Sequence, residues 1–382
     1  MFDVKTLDRF KTLETPFYFY DLSLLKKTLD LYTAELKKYN YHAHYALKAN
    51  ANDKILEIIK DYGLGADCVS GNEVALALKS GFDPSKIVYA GVGKSDREII
   101  TALNGDIFTF NCESIPEIEI INQLSEKMGK KASISLRINP DIDAHTHKYI
   151  STGRSQDKFG ISHWMFDDVI NTINSCSSVT LTGLHFHVGS QITDLNVFEM
   201  LSLRINEIVG RFRDKGVRIE NINLGGGLGI DYKSPDENPI PDFSSYFSII
   251  DKKLHREPYQ QIHFEPGRAI VAQCGSLITR VLYVKMGKGR KFAILDAGMN
   301  DLIRPALYQA SHKIDNLTSS GRSMRYDVVG PVCESSDKFA SNLMLPETKR
   351  GDILAIKSAG AYGQVMAMRY NQRDLAPEYY SE

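Results

Sequence analysis

The sequence predicts an α/β protein: a (β/α)8 barrel followed by a C-terminal all-β domain. Three observations predict it. Across the first two thirds of the 382 residues, eight short runs rich in β-branched and aromatic residues alternate with helical patterns. After about residue 270 the hydrophobic period changes to two, and helical stretches become rare. With 43% hydrophobic and 24% charged residues, the chain has globular composition and enough length for a large barrel with an appendage.

The eight runs are AHYALK (43–48), GADCVS (65–70), KIVYAG (86–91), DIFTFNC (106–112), ASISLRI (132–138), LTGLHFHV (181–188), IENINL (219–224) and QIHFEP (261–266). EVALALKSGF, SIPEIEIINQLSEKMG and VFEMLSLRINEIVGRFRDKG are among the helical stretches between them. A doubly wound sheet is the competing architecture. Beyond 270, AIVAQCGSLITRVLYVKM, KFAILDAG, MRYDVVGPV and GDILAIKSAG read as strands of the β module, and the early run TPFYFYD (15–21) is a candidate to join them. The expected division is a barrel over 22–270, with 1–21 and 271–382 forming a discontinuous β-sandwich or β-barrel domain. The loop 139–160, which holds His145 and His147, is too polar to be filler.

The bulk numbers exclude several classes. A formal net charge of −1 offers no attraction for nucleic acid or anionic lipid. The sequence contains no charged-then-apolar leader and no run of ~18 apolar residues. Five scattered cysteines (Cys68, Cys112, Cys176, Cys274 and Cys333) without a CxxC pair point to reduced thiols and a cytoplasmic protein.

In a barrel, chemistry sits at the C-terminal ends of the strands. The first run ends in Lys48 and the second carries Asp67. The sixth leads into HFHVGSQ (185–191), the seventh into GGGLG (225–229), and the eighth into EPGR (265–268). Gly225, Gly226 and Gly227 let backbone N–H groups approach phosphate oxygens, and Arg268 with Ser190 adds donors. Pyridoxal phosphate satisfies all parts of this pattern. Its aldehyde condenses with a lysine amine (Lys48), its ring nitrogen takes a carboxylate (Glu265), and its face takes a flat partner (His187), which Asp67 would orient. Bland alternatives stay open: a snorkelling Lys48, a loop acid at Asp67, and a Glu265 that only pairs with Arg268.

HxH occurs as His42/His44, His145/His147 and His185/His187. Alternate residues of a strand share a face, so such pairs bind zinc in barrel hydrolases. The further ligands needed at later strand ends are missing, and His263 reads as core. No metal is expected.

Eleven ordered stretches then carry a resemblance: TPFYFYD, YALKAN, GADCVSGNE, STGRSQDKFGI, GLHFHVGSQ, NLGGGLGIDY, EPGR, LIRPALY, GPVCESSD, GAYG and MAMRYNQR. The chain resembles the group IV, alanine-racemase-like pyridoxal-phosphate decarboxylases, most closely the branch that acts on diaminopimelate. The resemblance implies a fold type III barrel, pyridoxal 5'-phosphate on Lys48, and a homodimer with shared active sites. It implies His187 stacked on the cofactor ring, Glu265 at the ring nitrogen, and a phosphate cradle of Ser190, Gly225, Gly226, Gly227, Gly267, Arg268 and Tyr362. Cys333 resembles the group that protonates the product, reaching in from the other subunit with Glu334. Periodicity alone makes Cys333 a buried structural thiol.

Charge counting narrows the substrate. Diaminopimelate carries an amino-acid group at each end, so Arg268, Arg304, Tyr308 and Tyr362 are expected around the distal carboxylate and Glu334 at the distal ammonium. The resemblance therefore implies decarboxylation of meso-2,6-diaminopimelate to L-lysine. Ornithine, lysine, arginine or a carboxylated polyamine such as carboxynorspermidine is the alternative substrate. Without the resemblance, a surface ion-pair arginine in a short helix is the alternative reading of Arg304.

Overall fold

The computed structural model describes residues 2–142 and 158–381. They group into two units, Leu29–Gly229 with Asp242–Gly267, and Met1–Thr28 with Ile230–Pro241 and Arg268–Glu382. His145, His147 and most of the STGRSQDKFGI stretch lie outside the described residues.

Strand β1 (Phe17–Tyr20) precedes the barrel. The barrel itself closes through eight parallel strands: β2 (His42–Ala46), β3 (Gly65–Cys68), β4 (Ile87–Tyr89), β5 (Thr109–Cys112), β6 (Ala132–Arg137), β7 (Val179–His185), β8 (Asn221–Asn223) and β9 (Gln261–Phe264). Ala46 pairs with Asp67, and closure comes where His42 pairs with His263. The predicted barrel is borne out.

Local chemistry sets the helices between the strands. Asn52 accepts from the backbone N–H groups of Lys54 and Ile55 to start Asp53–Asp61, and Ser70 accepts from Glu73 N to start Gly71–Lys79. Asn196–Asp214 buries Val197, Phe198, Leu201, Ile205, Ile208 and Phe212 at helical spacing. Each such side chain contributes roughly 1.5–3 kcal/mol of burial.

Two expectations need correction. The run AHYALK does not stay extended to Lys48. The strand stops at Ala46, and Leu47–Ala49 forms a short 3-10 turn, because Leu47 is drawn into the core. The start of AIVAQCGSLITRVLYVKM is helical over Arg268–Val271, and the strand begins only at Gly275. A Cβ at Gly275 would meet Gly360 Cα at 2.3 Å, so the two backbones touch where the strand starts.

The second unit holds β10 (Gly275–Gly287), β11 (Arg290–Leu295), β12 (Ile314–Asn316), β13 (Ser323–Val329), β14 (Lys338–Pro346), β15 (Ile353–Ile356) and β16 (Glu378–Tyr380). The order is β12-β15-β10-β11-β13-β14. β1 pairs antiparallel with β10 and parallel with β16, so TPFYFYD does join this sheet. A register shift between Val281 and Tyr283 lets β10 pair with β1 and β15 in its first half and with β11 in its second. The core gathers Phe10, Phe17, Phe19, Ile278, Ile353 and Ala355, with the Phe10 and Phe19 rings edge-to-face at 4.9 Å. Among the described residues, no helix is long and apolar enough to cross a membrane.

Candidate active site

In the barrel unit, the turn that replaces the end of β2 lifts Lys48 out of the strand. Its Nζ lies 3.2 Å from Oδ2 of Asp67, which β3 holds fully buried. Asp67 Oδ1 has no hydrogen-bond partner among the described residues. Burial, together with the neighbouring Glu265 charge, pushes the Asp67 carboxyl up to about 8 against the pull of Lys48.

Glu265 follows β9 and is buried. Its Oε2 receives His185 Nε2 at 2.9 Å, and its Oε1 receives Asn223 Nδ2 at 2.8 Å and Asn111 Nδ2 at 3.3 Å. Burial alone would raise this carboxyl; His185 and Lys48 more than offset it and hold Glu265 below the usual carboxylate range.

The turn after β8 is built for close approach. A Cβ at Gly225 would lie 2.2 Å from Phe186 O, and one at Gly226 would lie 2.2 Å from Glu265 O. Gly225 and Gly227 also have φ of +72 and +115, which side chains rarely adopt. Gly225 N donates to Asn223 Oδ1 at 2.8 Å, and Gly226 N to His187 Nδ1 at 3.2 Å. The segment after β7 runs beside this turn through the Ile192–Leu228 bridge and carries Ser190. Burial, with the Arg137 and Lys48 charges, pushes His187 well below the ordinary imidazole range, so its ring is neutral.

The second unit brings the arginines together. Arg268 and Arg304 are both buried. Tyr232 lies between them, its hydroxyl 2.7 Å from Arg268 Nη1 and its ring 4.7 Å from the Arg304 guanidinium carbon. Arg268 also lies over the Tyr362 ring at 4.8 Å. Arg304 donates from Nη1 to His312 Nε2 at 2.8 Å, and His312 Nδ1–H donates to Lys357 O at 2.8 Å. Arg304 makes no ion pair among the described residues. It opens the short helix Arg304–Tyr308, whose last residue is Tyr308.

Several open readings are settled by this geometry. The partners of Glu265 are His185, Asn111 and Asn223. Asp67 bonds Lys48 through Oδ2. Arg304 is not a surface residue. Cys333 is exposed rather than buried, as is Glu334, which accepts from Tyr370 Oη at 2.6 Å.

The paired histidines do different work. His44 and His263, within β2 and β9, bond each other at 3.0 Å, and His44 also bonds Lys86 O. Among the described residues, no group of three His, Cys, Asp or Glu is placed to hold a metal. Sequence reasoning missed Asn111, Asn223, His185, Arg137, Tyr232 and His312. Arg137 pairs with Glu113 at 2.9 Å in the barrel interior.

The barrel residues fit pyridoxal phosphate. Three glycines leave a cradle that any Cβ would fill, a carboxylate surrounded by donors faces the barrel interior, and a lysine amine stands beside a buried acid.

Residues 22–272 match the family model for the pyridoxal-dependent decarboxylase, pyridoxal binding domain. A diaminopimelate decarboxylase of Bacteroides thetaiotaomicron is 53% identical over 377 residues, spanning 98% of either chain. One from Zymomonas mobilis is 42% identical over 95% of this chain and 87% of its own. The crystal structure of diaminopimelate decarboxylase from Helicobacter pylori complexed with L-lysine matches with a TM-score of 0.93 at 41% identity, over 99% of this chain and 94% of that one. Fold, strand-end chemistry and end-to-end similarity agree: the chain belongs to the diaminopimelate decarboxylase family of pyridoxal-dependent decarboxylases.

Proposed function

We infer that the protein removes one carboxyl group from meso-2,6-diaminopimelate as carbon dioxide and leaves L-lysine, the step that completes lysine biosynthesis. The observation that carries the substrate is Arg304, a buried guanidinium with no ion-pair partner among the described residues. A buried cation is costly unless an anion joins it, and a substrate carboxylate is that anion. Ornithine and lysine have no second carboxylate to offer.

Pyridoxal phosphate, when bound, supplies an aldehyde for the Lys48 amine and a ring that takes up the electron pair left by the departing carboxylate. Lys48 Nζ would hold it covalently. Glu265 would present an ionised acceptor to the ring nitrogen. His187 would pack its neutral face against the ring. Ser190, the glycines 225–227, Gly267, Arg268 and Tyr362 would hold the phosphate. Arg304, with Arg268, Tyr308 and Tyr362, orients the distal carboxylate, and Glu334 the distal ammonium. Cys333 Sγ carries the proton that replaces carbon dioxide and is reloaded from solvent.

The exposure of Cys333 and Glu334 on a single chain supports a homodimer in which each subunit lends this pair to the other's site. The working division is a barrel over 22–270 with 1–21 and 271–382 as the β domain, in a cytoplasmic enzyme.

The test is carbon dioxide release from meso-diaminopimelate beside ornithine, lysine, arginine and carboxynorspermidine. Turnover confined to diaminopimelate is expected. Faster turnover of any of the others would replace this reading with the alternative.

A further inference from the structure

Glu265 has room for about four hydrogen bonds on its two oxygens when ionised. Three are taken by protein donors: Asn223 and Asn111 on Oε1, and His185 on Oε2. The orientation of Asn223 is fixed independently, because its own oxygen accepts from Gly225 N at 2.8 Å. Its amide nitrogen must therefore face Glu265.

That leaves His185. If Glu265 carried a proton on Oε2, His185 Nε2 would accept it and Nδ1 would bear the ring hydrogen. Nδ1 is buried and has no partner among the described residues. A buried N–H without an acceptor is rarer in proteins than an unused lone pair. The hydrogen therefore sits on Nε2 and points at an ionised Glu265.

We propose that His185 is a positioning residue for decarboxylation: through Nε2–H it keeps Glu265 ionised and turned so that its remaining lone pair faces the cofactor ring nitrogen. This rests on the function inferred above. His187, two residues on, takes a separate partner in the glycine turn, so the HFH stretch divides between two tasks.

Reach separates this role from simple packing. His185→Gln keeps an amide N–H near the place of Nε2, whereas His185→Asn carries the same group one methylene short. Both are purified as holoenzymes, and three quantities are read: the pH dependence of the bound cofactor's absorption band, cofactor loss on dilution, and kcat and KM for meso-diaminopimelate. His185→Gln is expected to stay within a few-fold of wild type. His185→Asn is expected to lose roughly 10- to 100-fold in kcat, the size of one hydrogen bond to a charged group, with KM changed far less. Its band is also expected to titrate where that of the wild type is flat.

Equal behaviour of the two variants would overturn the proposal, as would a fall in kcat with an unchanged titration. Failure of both to fold would also overturn it and assign His185 to barrel structure. Wild-type protein that takes up no cofactor would instead sink the function itself.

Discussion

Lys48 Nζ and Asp67 Oδ2 lie 3.2 Å apart, the lysine side chain 35% exposed and the aspartate fully buried. The amine is thus reachable from the barrel mouth yet anchored at its base. Lys48→Ala is expected to abolish turnover together with the absorbance near roughly 420 nm of the lysine-bound cofactor. A spectrum and a carbon dioxide assay on the same preparation check it. Full activity in this variant would end the assignment.

Two buried groups give stability limbs of opposite sign. Asp67 sits at about 8 when folded, against about 4 for an unfolded carboxyl, so the folded chain holds its proton longer. Its contribution is present at low pH and is lost as pH rises from about 4 through about 8. His312 is pushed down to about 3 by burial and the Arg304 charge, so its contribution is present above about 6.5 and is lost as pH falls toward 3. Melting temperatures of cofactor-stripped protein across pH should show both slopes. Asp67→Asn should flatten only the alkaline one and His312→Gln only the acid one.

His312 also holds Arg304 in place through Nε2. His312→Ala is expected to raise KM for meso-diaminopimelate by about 10-fold or more, since a hydrogen bond to a charged group is lost. His312→Gln keeps an acceptor near the same point and should stay within a few-fold. Steady-state kinetics on both variants decide it.

No side chain fits at position 226, where a Cβ would meet Glu265 O at 2.2 Å. The obstacle is backbone on both sides, so relaxation must move the β8 turn or the end of β9. Gly226→Ala is expected to melt several degrees lower and to shed cofactor on dialysis. A scanning melt and the absorbance of the dialysed protein report it.

Sharing of sites has a direct signature. Lys48→Ala and Cys333→Ala enzymes, each inactive alone, should regain about a quarter of wild-type activity when unfolded together and refolded as a mixture. Half of the dimers are then hybrids, and one of the two sites in each hybrid is intact. No recovery would place Cys333 in its own chain's site.

The barrel was legible because its strands are separate apolar runs and its strand ends carry unusual residues: a lysine, three glycines and an acid. The 3-10 turn at Leu47–Ala49 was not, since Tyr45, Ala46 and Leu47 are apolar in either conformation. Glu265 stood out in EPGR, but its partners come from β5, β7 and β8, brought together only by closure of the barrel. Asn111 and Asn223 look like ordinary strand asparagines in sequence. Tyr232 was hidden for a different reason. It lies on Ile230–Pro241, a segment that leaves the barrel strand and belongs with the second unit. Exposure at Cys333 contradicted its apolar neighbourhood, because the strand that carries VV ends at Val329, before the thiol is reached.

The pairing of Tyr18 with Glu378 has a consequence for biosynthesis. A ribosome delivers β1 before the barrel strands β2 to β9 and β16 only after them. In between, one edge of Phe17–Tyr20 awaits a neighbour that has not yet been made, while the local βα units of the barrel can already condense. The nascent chain therefore carries an aromatic strand edge that invites mispairing until β16 has been made.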